Sequence, residues 1–110
     1  MASLILAFLV ANAVPQPQAQ AILAMAHRES GYQPAAVSEN FHCLLQWDHQ
    51  RYRRMLWFTG TRYGCPDYRS QLSFALAELS HPQYRCFWRA RTFGAAYSAL
   101  MRTFGFGGSC

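Results

Sequence analysis

The chain has 110 residues, 52% hydrophobic and 15% aromatic, which is enough apolar content for one packed core and too much for a disordered chain. Ten basic residues against five acidic ones give a net charge of +5, and all ten are Arg, a residue suited to bidentate contact with carboxylate or phosphate. The length argues for a single domain over 1–110. No apolar run reaches the roughly 18 residues of a membrane span, and the charge points to a polyanionic partner: nucleic acid, cell-wall polymer or anionic lipid.

Residues 3–13 read as a short apolar helix buried at the start of the domain. The rival reading is a signal-peptide core with Ala11-Asn12-Ala13 as its cleavage site, but no Lys or Arg precedes the run. Pro15 and Pro17 break this helix. Residues 18–28 form a second helix, ended by Ser30-Gly31 with Pro34 beyond. Residues 31–47 have no helical period and read as a loop with a short hairpin. Asp48 caps a third helix over 49–59, and Gly60 stops it. Pro66-Asp67 opens a fourth, 68–80, whose apolar positions recur at spacings of three and four. Pro82 starts a short fifth helix holding Tyr84, Phe87 and Trp88. Thr92 caps the sixth, where Phe93, Ala96, Tyr97, Leu100, Met101 and Phe104 hold one face. The expected fold is mainly α: about six short helices around one core, with a small irregular or hairpin segment at about 31–47. In such a fold the irregular segment carries function, because the helices hold its polar groups still.

Cys43, Cys65, Cys86 and Cys110 form no CxxC pair and no zinc-finger spacing. Two disulfides in an oxidising compartment would allow three pairings, and the reading preferred here is mostly buried free thiols. Cys110, after two glycines and a serine, is expected to be mobile. His27, His42, His49 and His81 are scattered and no HExxH occurs, so neither a metal nor a cofactor is expected.

The polar chemistry concentrates around 29–48. Glu29 closes an otherwise apolar helix, and apolar neighbours with a negative helix end favour the protonated form that a general acid requires. The plainer reading is a solvated carboxylate or one paired with an Arg.

The run Glu29-Ser30-Gly31-Tyr32-Gln33-Pro34-Ala35-Ala36-Val37, followed by Leu44-Leu45-Gln46-Trp47, resembles the phage tail lysozyme family of the lysozyme-like superfamily. That family carries E-S-G-[FY]-x-P-x-A-V and then G-L-x-Q-W. Residues 15–21 resemble the family's lead-in to the catalytic helix, and residues 48–54 its polar helix start after Q-W. Gln71-Leu72-Ser73-Phe74 with Glu78-Leu79 resembles its Q-L-x-F-x-x-x-E-L helix. The order and spacing run over about residues 5–105. The resemblance implies a lysozyme-like α+β fold and a muramidase that cleaves the β-1,4 bond between MurNAc and GlcNAc in peptidoglycan. It assigns Glu29 as the acid and sets Gln46 in the substrate cleft, with Trp47 and Ser38 close by. Tyr32 and Trp47 offer faces for sugar rings, although core packing is an equal reading for Trp47. A setting on a phage tail with other tail proteins, or a secreted enzyme acting in the periplasm or wall, is also implied.

Two departures stand out. The family's Gly before L-x-Q is Cys43 here, where the backbone needs φ > 0 or a close approach. The stretch 38–46 is shortened, with Phe41 and His42 where small residues are usual. A retaining or inverting mechanism needs a second carboxylate. Glu39 is the first candidate and Asp48 the second, its simpler role being a helix cap. Glu78 reads as a structural pair with Arg, and Asp67 as another cap. If none serves, one acid suffices for a lytic transglycosylase. A non-catalytic wall-binding or structural module is the competing reading. Nucleic-acid binding is disfavoured, because the Arg residues are spread over 28–102 and only Arg51, Arg53 and Arg54 cluster.

Overall fold

The computed structural model describes residues 1–106, so the expectation for Cys110 lies outside the described residues. Helices α1 (Ala2–Ala11) and α2 (Gln16–Ser30) precede a hairpin of β1 (Val37–Ser38) and β2 (Phe41–His42). Helices α3 (His49–Thr59) and α4 (Tyr68–Leu79) follow. A 3-10 turn (Pro82–Tyr84) leads into α5 (Arg85–Arg89), and α6 (Phe93–Phe106) completes the order. The fold is therefore mainly α with one small antiparallel sheet, in which Val37 faces His42 and Ser38 faces Phe41.

Local chemistry sets most boundaries. Asp48 caps α3 by accepting from the Arg51 N–H, and Asp67 caps α4 by accepting from the Ser70 N–H, both at 2.9 Å. Gly31 and Gly60 end α2 and α3 in left-handed backbone, φ 62° and 71°. Pro17 does not delay α2, which starts at Gln16 on the cap residue Pro15. A proline in the first turn loses no hydrogen bond, because that N–H has no partner within a helix.

α2 lies along α6, α1 covers α2 and α4, and α3 packs on α4. Ile5 and Leu9 of α1 are fully buried, so residues 2–11 form a core helix of this fold. They join Ile22, Leu72, Phe87 and Leu100 in one continuous core. Among the described residues, no helix is long and apolar enough to cross a membrane.

The core also holds an ion cluster. Glu78 is 5% exposed and accepts from Arg51 Nε at 3.2 Å and from Arg54 Nη2 at 2.6 Å. Arg51 reaches Asp48 at 2.6 Å and Tyr84 Oη at 3.3 Å, and lies 5.3 Å from the centre of the Phe104 ring. One guanidinium thus joins α3, α4, the 3-10 turn and α6. A buried carboxylate is tolerable only with such partners.

Burial works to raise the Asp48 carboxyl, but hydrogen bonds from the Arg51 N–H and guanidinium outweigh it. They hold the carboxyl below its ordinary 3.8. A carboxyl depressed in the folded state stabilises the fold above its unfolded pKa, and that contribution is lost as pH falls through the lower folded value. Urea unfolding should therefore show stability falling below pH 3.8. Asp48→Asn should flatten this acid limb, and an unchanged limb would contradict the assignment.

Candidate active site

The end of α2 and the hairpin form two walls of a groove of about 480 Å³, and α6 forms the third. Arg28 and Glu29 come from α2, Ser38 and Phe41 from the hairpin, and Leu45 and Gln46 from the turn after it. Met101 and Phe104 come from α6.

Two amides, one buried and one half-buried, shape the hairpin side. Gln71 on α4 is 1% exposed. Its Oε1 accepts the Leu44 N–H at 2.9 Å, and its Nε2 donates to the Pro34 and Pro66 carbonyls at 2.9 and 2.7 Å. Gln46 donates from Nε2 to the Ala36 and Cys43 carbonyls at 3.0 and 2.9 Å and accepts from Ser38 Oγ at 2.5 Å. Its amide therefore locks the turn to the strand while its side chain lines the groove.

His42 and Trp47 exchange both backbone hydrogen bonds, at 2.9 and 2.8 Å, and close the turn between them. Within that turn Cys43 and Gln46 hold φ 75° and 52°. The left-handed backbone expected of the family's glycine is therefore kept with cysteine in its place. A side chain there costs about 1 kcal/mol and persists only where the surroundings fix it. The Cys43 N–H bonds to the Ala36 carbonyl at 2.7 Å, and its sulfur is joined to Cys65 across 22 positions. This corrects the expectation of buried free thiols. Cys86 is disulfide-bonded too, and among the described residues no cysteine is free. Spacing could not reveal the pair, because the two sulfurs meet only when the segments before α3 and before α4 converge.

The sequence-derived site residues separate into groups. Glu29, Ser38 and Gln46 meet in the groove. Glu29 is exposed rather than packed among apolar neighbours, as the sequence suggested; it makes no direct salt bridge among the described residues, and its charge acts on the neighbouring Arg28 guanidinium. Glu39 sits in the hairpin turn, exposed and at φ 49°, one residue from the groove-lining Ser38 but outside the lining itself. Tyr32 faces a second hollow with His27, Phe93 and Tyr97, and Arg28 borders both hollows. Trp47 is 2% exposed, with Phe74 and Phe104 edge-on at 5.5 and 5.1 Å. It is a core residue, not a sugar platform, because flanking rings from α4 and α6 cover it.

Sequence reading missed Arg28, Met101 and Phe104 as groove residues. The helical period of α6 marked Met101 and Phe104 as apolar, and it could not tell core from groove floor. Asp48, Asp67 and Glu78 serve caps and the ion cluster. Among the described residues no group of three His, Cys, Asp or Glu could hold a metal ion.

The sequence model of the family described as phage tail lysozyme matches residues 1–104. No curated protein and no solved structure matches the chain.

Gln71→Leu would strip partners from the Leu44 N–H and two carbonyls, and should cost about 2–3 kcal/mol in urea unfolding. Retained stability would deny the amide its structural role. The double variant Cys43→Ser, Cys65→Ser should lose about 3 kcal/mol and speed amide exchange at Ser38 and Phe41. Unchanged exchange there would mean that the disulfide does not steady the hairpin.

Proposed function

The chain belongs to the phage tail lysozyme family, and from that premise we propose that it is a muramidase cleaving the β-1,4 bond between MurNAc and GlcNAc. The observation that carries this reading is how the five carboxylates are used. Two cap helices and one is buried in an ion cluster, and of the remaining two only Glu29 lines the groove.

Glu29 is the general acid. Glycosidic cleavage passes through an oxocarbenium-like state, and the leaving oxygen must receive a proton. In the free protein the carboxyl faces water. A glycan lying against Leu45, Met101 and Phe104 would displace that water from around the acid. Ser38 and Gln46 hold the opposite wall, and Arg28 offers its charge to a lactyl or peptide carboxylate. Glu39, on the hairpin tip, is the candidate second carboxylate for a hydrolytic mechanism.

A second reading has its own support. Among the described residues only one carboxylate lines the groove. One acid suffices for a lytic transglycosylase, in which the sugar's own 6-hydroxyl attacks the anomeric carbon and water is not needed. Disulfides fit an oxidising compartment, consistent with action in the periplasm or wall from a phage tail, beside other tail proteins.

Glu29→Gln should lower muropeptide release from purified walls by at least about 100-fold with an unchanged melting temperature. A Gln variant with full activity would overturn the acid assignment. Mass spectrometry of the products separates the mechanisms: a reducing MurNAc end means hydrolysis and a 1,6-anhydro end means transglycosylation. Wall binding without any product would leave a non-catalytic module. Glu39→Gln should abolish activity only in the hydrolytic case.

A further inference from the structure

Among the described residues the most exposed rings, Trp57 and Tyr63, lie outside the groove lining, on α3 and the loop after it. Met55 turns inward, while Arg53 and Trp57, four residues apart and so on one face, turn outward. Trp57 is 87% exposed. The loop is tied back onto α3 by the Thr61 N–H to the Leu56 carbonyl at 2.9 Å, and by Tyr52 Oη to the Gly64 carbonyl at 2.8 Å. Tyr63 lies between these ties and is 84% exposed. Phe58 adds a half-exposed ring on the other flank.

The charge on this surface has one sign. Residues 49–66 contain four Arg and no acid. Arg51 and Arg54 are held by Asp48 and Glu78, whereas Arg53 and Arg62 are exposed and have no ion-pair partner among the described residues.

Large rings standing in water beside unpaired guanidinium groups call for a partner. Trp and Tyr favour the bilayer–water boundary, where an apolar ring and a polar edge are both satisfied. Arg lays its stem along apolar surface and bonds phosphate with its fork. The rings stand out from the surface, unlike the recessed platforms on which single-stranded nucleic acid stacks.

We propose that this patch docks the protein on an anionic phospholipid surface, with Trp57 and Tyr63 entering the headgroup layer and Arg53 and Arg62 binding lipid phosphates. Docking depends on neither Glu29 nor wall cleavage, so its test is separate from that of the muramidase reading.

The test is sedimentation and tryptophan fluorescence with vesicles of phosphatidylglycerol and phosphatidylcholine, against phosphatidylcholine alone. Trp47 is 2% exposed and Trp88 half-buried, so a blue shift on binding reports Trp57. The shift should appear with the anionic vesicles only, weaken with salt, and vanish in Trp57→Phe. The double variants Trp57→Ala, Tyr63→Ala and Arg53→Glu, Arg62→Glu should each weaken binding at least about tenfold. These side chains face solvent, so the circular dichroism and melting of the variants should match the parent. The proposal is overturned by a failure to sediment with anionic vesicles, or by equal binding to both vesicle types. It is also overturned by undiminished binding of the variants, or by a Trp57 shift with single-stranded DNA or an acidic protein but none with vesicles.

Discussion

The Gln71 amide is the constraint on which the groove rests. A side chain buried in an α-helical core must satisfy one acceptor and two donors, and it meets all three through loop backbone. Those loop groups lie in three different segments: the entry to the hairpin, the turn after it and the lead into α4. Loop backbone buried against a helix carries polar groups that need partners, and here one amide supplies them. The hairpin is only two residues per strand, too short to stand alone. It exists because Gln71 from below, Gln46 from within and the Cys43–Cys65 link from the side leave it one arrangement.

Charge is used economically in this fold. The same residue type, Arg, has three fates according to its neighbours. Arg51 and Arg54 neutralise the buried Glu78, Arg28 stands at the groove beside Glu29, and Arg53 and Arg62 face solvent unpaired. The ion cluster is itself neutral, two Arg against two acids, so the whole net charge of +5 lies outside it. What remains outside is more basic than acidic, which suits approach to a wall or membrane that carries negative charge.

The exchange of glycine for cysteine at position 43 shows how a departure from a family pattern can be compensated. Glycine is favoured at φ 75° because it has no Cβ to clash. Cysteine brings that clash, and also a sulfur that reaches Cys65. The backbone bond to Ala36 and the covalent link fix the same left-handed turn that glycine would adopt freely. The shortened 38–46 stretch still closes, because the His42–Trp47 backbone pair replaces length with hydrogen bonds and His42 stacks on Tyr52 at 4.0 Å.

Local signals made the helices legible from the residues alone. Asp48, Asp67 and Gly60 mark boundaries by chemistry that acts within one turn, so the third and fourth helices could be bounded within a residue. Ser30-Gly31 with Pro34 likewise pointed to the end of α2, and the missing helical period over 31–47 to a loop with a short hairpin. Other features depend on which distant segments meet. The burial of Trp47 needs Phe74 and Phe104 from two other helices, and the cysteine pairing needs two loops to converge. The groove floor needs Met101 and Phe104 opposite the hairpin, and the exposure of Glu29 depends on what does not pack over it. None of these is encoded within a turn's reach of the residue concerned. Propensity and capping act between near neighbours, whereas burial, cross-links and cleft walls are properties of long-range packing.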